Sequence, residues 1–169
     1  MKYGKIWPHV VFVILVGVFV FTQPPPKNNQ IISAKETAGV LKVVDGDTIE
    51  VSLSGRTERV RLIGIDSPEV LDDRKPIQCF GEEASNKAKE ILTGKTITLQ
   101  SDSTQEERDE YARLLRYIFL DSLNFNELML SEGYAREYTF KGKIYKYQTE
   151  FIQAEKEARK ENKGLWGAC

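Results

Sequence analysis

The chain has 169 residues and a net charge of −1, which is enough length for one globular domain but gives no overall positive field to attract nucleic acid. Hydrophobic residues make up 41% and charged residues 29%, which excludes disordered and collagen-like classes. The only histidine, His9, lies near the N-terminus, so the folded part cannot use a histidine base or an imidazole metal ligand. Any hydrolysis there requires water activated by carboxylates and a metal ion.

The first predicted element is a hydrophobic segment within residues 1–23. Lys2 and Lys5 precede an apolar run at 10–21, which is short for a membrane span but has the length of a signal-peptide core. Small residues before a cleavage point are absent, so a signal peptide and an uncleaved anchor both remain open. The positive-inside rule places the rest of the chain outside the cytoplasm, either secreted or anchored to the membrane by this segment.

A proline-rich polar linker is predicted at 24–37, followed by one domain at 38–169 that we expect to be monomeric. Cys79 and Cys169 are the only cysteines. In an exported chain such a pair is a candidate disulfide, and two free thiols are the alternative, because pairing depends on geometry.

The domain begins with β-rich segments, which recur at 40–44, 48–53, 59–65, 96–100 and 116–120. A helix ending at Gly94 is predicted between the third and fourth strands, and further helices are predicted at 124–132 and 147–164. This order predicts an α+β, mainly β, fold: a five-stranded Greek-key barrel of the oligonucleotide-binding (OB) type with three helices.

The third strand contains an irregularity in its apolar alternation. Val60 and Leu62 share one parity, whereas Ile63 and Ile65 continue on the other, with Gly64 between them. A β-bulge at this point would place Arg61 and Asp66 on one face. We therefore predict a bulge and a shared polar site.

Two acidic clusters carry the candidate chemistry. The first is the turn Asp45-Gly46-Asp47-Thr48, and the second is Asp66-Ser67-Pro68-Glu69. Each alone is typical of an ordinary turn. A turn at residues 54–55 would bring both clusters to one barrel end, where crowded carboxylates favour calcium or magnesium.

Two arginines complement these carboxylates. Arg61 lies on the third strand and Arg113 just before the fifth. A guanidinium group matches two phosphate oxygens and stays charged, so the pair could neutralise a phosphorane-like transition state. For either arginine alone, a surface ion pair is the alternative interpretation.

The segment 43–69, VVDGDTIEVSLSGRTERVRLIGIDSPE, followed by CFGEEA at 79–84, GKTITL at 94–99 and YARLLRY at 111–117, resembles the staphylococcal nuclease (thermonuclease) family. The resemblance implies that Asp47, Asp66 and the carbonyl of Ser67 bind Ca²⁺. It also implies that Glu69 orients or deprotonates water, that Arg61 and Arg113 bind the scissile phosphate, and that Tyr111 contacts phosphate. A calcium-dependent nuclease that cuts DNA and RNA to 3′-phosphate ends is the expected function.

The chain departs from the family pattern at several positions. Ser67 replaces threonine, and Ala112 replaces a glycine, which would alter the approach of Arg113 if that position needs positive φ. An acidic loop at 106–110 suggests weaker substrate binding. Tyr138 and Phe140 lie near the family's base-stacking tyrosines but out of register, so that role is not assigned to them.

Two other functions compete with cleavage. One is an OB-fold module at the extracytoplasmic face that binds nucleic acid without cutting it. The other is a calcium-stabilised structural domain, which would leave both arginines without a purpose. Because the full set of carboxylates and arginines is present, we expect a nuclease.

Overall fold

The computed structural model describes residues 34–70 and 78–169, all within one compact unit, Ile31–Cys169. The predicted signal or anchor segment and most of the predicted linker lie outside the described residues. Within the described part, no helix has the length and apolar character needed to cross a membrane.

Five strands form the predicted barrel. They are β1 (Lys35–Val43), β2 (Thr48–Leu53), β3 (Arg56–Leu62), β5 (Thr96–Gln100) and β6 (Leu114–Leu120). The order β3-β2-β1-β5-β6 is antiparallel, and a parallel pairing of β3 with β6 closes the sheet. The predicted OB-type barrel is therefore confirmed, although β1 begins at Lys35, inside the range predicted as linker.

The predicted continuous third strand, 59–65, is wrong in detail. Strand β3 ends at Leu62, and a turn at Ile63–Gly64 leads into the two-residue strand β4 (Ile65–Asp66). This strand pairs with β8 (Arg136–Glu137) in a separate sheet. Gly64 has φ +78°, and a Cβ there would lie 2.7 Å from the Tyr145 ring, so only glycine fits. The chain changes sheets here instead of forming the predicted bulge.

The three predicted helices are present with shifted bounds. They are α1 (Gly81–Leu92), α2 (Phe125–Ser131) and α3 (Gln148–Lys160). Helix α3 ends before the predicted stop because Asn162 has φ 52° and a short helix α4 (Leu165–Ala168) follows. The small strand β7 (Leu123–Asn124), α4 and a 3₁₀ turn at Phe140–Gly142 were not predicted.

The core fills the barrel and the space beneath the helices. Its largest fully buried side chains come from strands and helices alike: Ile49, Leu62, Ile65, Leu92, Ile97, Leu99, Tyr117, Ile118, Phe125, Met129, Leu130 and Phe151. The buried Asn126 side chain accepts from Ile118 N at 3.0 Å and donates to Ile63 O at 2.9 Å, which ties α2 to the strands. A rigid core therefore supports the barrel end that carries the polar residues.

A disulfide joins Cys79, just before α1, to Cys169 at the C-terminus. Of the two states open from the sequence, the bonded one is present. The bond ties the end of the chain to the segment that follows the second acidic cluster.

Candidate active site

Asp47 is the most buried carboxylate of the site, at 4% exposure. Its Oδ2 accepts from Ser67 N at 2.8 Å, and its Oδ1 accepts from Thr48 Oγ1 at 2.9 Å. The acidic β1–β2 turn is thereby joined to the residues that follow β4. The two clusters that are 20 residues apart in sequence form one structure.

Arg61 lies between the clusters. Its Nε is 3.3 Å from Asp47 Oδ1, and its Nη2 is 3.0 Å from Asp66 Oδ1. Its Nη1 donates to the carbonyls of Leu62 at 2.8 Å and Ile65 at 2.7 Å. The turn at Ile63–Gly64 makes these contacts possible, because it brings β4 back towards Arg61. The predicted sharing of one face by Arg61 and Asp66 thus arises from a turn between two sheets.

The carboxylates of the site repel one another. Burial first, and then the charge of Asp47, raise the pKa of Asp45 to about 7. Burial also raises the pKa of Asp66, with repulsion from Asp47 added and the charge of Arg61 opposing. The pKa of Glu69 is raised by burial and by Asp47 and Asp66, against the attraction of Arg61 and Arg113. The predicted crowding of carboxylates at one barrel end is present, and Asp45 belongs to it.

Asp109 holds Arg113 in place through both its side chain and its main chain. The Nε of Arg113 is 2.6 Å from Asp109 Oδ2, and its main-chain N donates to Asp109 Oδ1 at 2.9 Å. Its Nη1 is 3.4 Å from Thr48 Oγ1, which brings it towards the acidic turn. The intervening Ala112 has φ 61°, so this position does need the left-handed conformation that glycine adopts readily. Arg113 is nevertheless well anchored.

A cleft of about 530 Å³ contains these groups. Its lining includes every side chain predicted for the site: Asp47, Arg61, Asp66, Glu69, Tyr111 and Arg113. Tyr111 is 73% exposed, with its ring centre 5.4 Å from the Arg113 guanidinium. Ser67 is not part of the lining, but its main chain adjoins Asp47. The fold thus brings the predicted residues together.

Part of the rim of the cleft is formed by aromatic residues that the sequence did not assign. Tyr138 and Phe140 are 44% and 43% exposed, with ring centres 6.3 Å apart. Lys141 Nζ lies 4.9 Å from the Phe140 ring, and all three residues line the cleft. Alternating aromatics beside a lysine, placed after the second helix, are the signal that could have identified this rim.

The acidic loop is largely neutralised by ion pairs within the protein. Glu106 Oε1 is 2.7 Å from Lys143 Nζ, and Glu107 pairs with the buried Arg116. Asp109 is occupied by Arg113, as described above. The sequence alone suggested an acidic approach to the site, but these partners reduce the charge that a substrate would meet.

Residues 59–168 match the family model described as "Staphylococcal nuclease homologue". The chain belongs to the staphylococcal nuclease family. It is 37% identical over 159 residues to the thermonuclease of Staphylococcus hyicus, covering 93% of this chain and 92% of that protein. The thermonuclease of Staphylococcus intermedius is 36% identical over 161 residues, with the same coverage of both chains.

A third relative is the endonuclease YncB of Bacillus subtilis, which is 34% identical over 126 residues, or 74% of this chain and 59% of that protein. The similarity to these relatives and to the family model confirms the predicted family and the predicted enzyme class. This member of the staphylococcal nuclease family is a nuclease that acts on phosphodiester bonds.

The donor set is compatible with a calcium ion. No group of three or more Asp, Glu, His or Cys side chains converges on one metal position within residues 34–70 and 78–169. The implied set needs only two carboxylates, Asp47 and Asp66, with one main-chain carbonyl, from Ser67. All of these donors are oxygen atoms, which suit a hard divalent cation. The carboxylates also raise one another's pKa, and a bound cation would offset this repulsion.

Proposed function

We propose that this nuclease is calcium-dependent and hydrolyses both DNA and RNA, leaving 3′-phosphate ends. The observation that carries the proposal is the convergence of Asp47, Asp66, Glu69, Arg61 and Arg113 on one cleft. Phosphoryl transfer depends mainly on positioning and on neutralising charge, and this set supplies both without a histidine.

Asp47, Asp66 and the Ser67 carbonyl would hold the calcium ion. When bound, Ca²⁺ supplies Lewis-acid polarisation of a phosphate oxygen and a site that orients water. Asp47 is kept in place by Ser67 N and Thr48 Oγ1, so one ligand is oriented before the ion arrives. Asp66 is 53% exposed at its side chain, so it would be accessible to the ion as a second carboxylate ligand.

Arg61 and Arg113 would bind the scissile phosphate from two sides. The Nη1 of Arg61 is fixed by two carbonyls, and its Nη2, which contacts Asp66, would be available to a phosphate oxygen if Asp66 held the ion. Arg113 is fixed through Nε by Asp109, which leaves most of its guanidinium fork facing the cleft. Both cations then stabilise the charge that builds on the phosphate oxygens in the transition state.

Glu69 would act as the base. Its carboxylate lies at the cleft, and burial with nearby negative charge raises its pKa above the ordinary value. A raised pKa makes a carboxylate a better proton acceptor. Glu69 would take a proton from water as the water oxygen bonds to phosphorus. The P–O5′ bond would break in line, and the leaving 5′ oxygen would be protonated by solvent to give a 5′ hydroxyl.

Tyr138 and Phe140 would support the bases of a flexible strand. Two half-exposed rings beside a lysine form a surface on which unpaired bases stack, while the lysine faces the phosphates. Because stacking is tolerant of base and sugar, this rim favours single-stranded substrates of either DNA or RNA. We also propose that the domain acts outside the cytoplasm as a monomer, secreted or held at the membrane by the N-terminal segment.

The test uses purified protein with single-stranded DNA and RNA, in calcium or in excess chelator. Cleavage in calcium and none in chelator is expected, and products should accept 5′ labelling without prior dephosphorylation because their 5′ ends carry hydroxyls. Equal cleavage in chelator would reject the calcium dependence. Products with blocked 5′ ends would reject the proposed bond that breaks.

Two substitutions test the assigned roles. Glu69→Gln removes the base but keeps the shape, and Arg61→Lys keeps a charge beside the buried Asp47 but removes the guanidinium fork. Each should lower kcat by about a hundredfold or more while circular dichroism stays native. Near-normal rates in both variants would refute the roles proposed for these residues.

A further inference from the structure

The position of the Glu69 carboxylate is set by its main chain. Glu69 is exposed as a residue, although its carboxyl group is partly desolvated at the cleft, and within the described ranges no group donates a hydrogen bond to its carboxylate. Pro68 fixes the backbone just before it. Whatever holds the Glu69 peptide groups therefore decides where the carboxylate stands relative to the cleft.

Gln78 binds the Glu69 main chain twice, through its side-chain Oε1 and through its main-chain N. Glu69 N donates to Gln78 Oε1 at 3.2 Å, and Gln78 N donates to Glu69 O at 3.1 Å. The start of α1 also packs closely against the Glu69 carbonyl, because a Cβ on Gly81 would lie 2.8 Å from Glu69 O. Gly81 N also donates to Gln78 O at 3.0 Å. The Glu69 peptide is thus enclosed by the Gln78–Gly81 turn.

This turn is itself anchored to distant parts of the chain. Cys79 is bonded to Cys169, and the Phe80 ring stacks on Tyr134 with centres 5.5 Å apart. Both anchors involve the two residues that directly follow Gln78 in the chain. Gln78 is therefore presented to Glu69 by a turn that is fixed independently of the substrate.

We propose that Gln78 is a positioning residue that acts through Glu69, an inference that rests on the base role proposed above. Gln78 is not among the residues that line the cleft, and its contact with the site is the one that it makes with the Glu69 main chain. Loss of its Oε1 acceptor frees the Glu69 N–H and lets the carboxylate move from the position that proton transfer needs. Small misplacements of a reacting group lower turnover more than binding.

The test is Gln78→Met in the full chain, which keeps the length of the side chain but removes the acceptor. We expect kcat on single-stranded DNA in calcium to fall about tenfold, with KM within twofold of the wild-type value. Gln153→Met is the matched control, because Gln153 lies exposed on α3 and bonds only to Glu157 among the described contacts. This control should keep wild-type kcat and KM.

A double-mutant comparison separates positioning from a general structural role. In a Glu69→Gln background, Gln78→Met should change kcat by less than twofold, because the group that it positions is already inactive. The same tenfold fall in both backgrounds, or a Gln78→Met kcat within twofold of wild type, would overturn the inference. If Glu69→Gln alone kept near-normal turnover, the base role itself would fail, and the inference would fail with it. If Glu69→Gln lowered kcat as expected but Gln78→Met had no effect on kcat, the base role would stand and only the inference about Gln78 would be rejected.

Discussion

Breaking the Cys79–Cys169 disulfide should destabilise the domain mainly through its unfolded state. The bond spans a sequence separation of 90 residues, and both cysteines are exposed, so replacing them with serine removes little packing. Chain-entropy theory assigns a loop of that size about 4.5 kcal/mol. Native strain and residual structure in the unfolded chain usually reduce this figure, so we expect a loss of about 3–4 kcal/mol.

Equilibrium urea unfolding followed by circular dichroism measures this loss. Cys79→Ser, Cys169→Ser and the double variant should agree within about 0.5 kcal/mol, because each breaks the same bond. Wild-type protein held in reductant should have the same free energy of unfolding as these variants. A loss below about 1 kcal/mol, or single variants that differ clearly from the double variant, would refute the entropic explanation.

Three further predictions concern Ala112, Asp102 and Arg113. Ala112→Gly should stabilise the domain by about 0.5 kcal/mol in urea unfolding, because it relieves the left-handed strain at φ 61°. The control Ala154→Gly, in α3, should instead destabilise the domain by about 1 kcal/mol. Changes of the same sign in the free energy of unfolding of both variants would contradict this explanation. Burial alone would raise the pKa of Asp102, but hydrogen bonds from Tyr117, Lys146 and Thr104 lower it overall. The stability that these bonds give the ionised form is present above the ordinary pKa of an aspartate and is lost as pH falls through the lowered value. Asp102→Asn should therefore cost about 2 kcal/mol near pH 7 and progressively less as pH falls below the ordinary pKa of an aspartate, as unfolding across this pH range would show. Arg113→Ala should lower kcat about a hundredfold with native circular dichroism, and an unchanged rate would remove Arg113 from the site.

The barrel was predictable because its signals are local. Alternating apolar residues and the glycine-containing turns specify most strands and the connection between β2 and β3. The helices follow from apolar faces such as that of Phe151 and Ala158. Both signals act over a few residues, so the sequence contains them in full.

The site was predictable only in part, because several of its contacts join distant segments. The irregularity near Gly64 was visible, but its form depends on the Tyr145 ring, 81 residues away, which leaves no room for a side chain. The pairing of Glu106 with Lys143 likewise has no local signal, so the acidic loop appeared more negative than it is. Tyr138 and Phe140 carry no assignment from the sequence because they lie out of register with the family's base-stacking tyrosines, and spacing along the chain does not report which side chains line a cleft.

The parallel pairing of β3 with β6 has a consequence for folding. In this pairing Arg61 lies opposite Leu115, which is two residues from Arg113. More than fifty residues separate the end of β3 from the start of β6. Contacts between such distant segments form late, because the entropy of closing the loop must be overcome first. Because Arg61 and Arg113 flank this pairing, cleavage requires it, and the return of cleavage during refolding would report when β3 and β6 have paired.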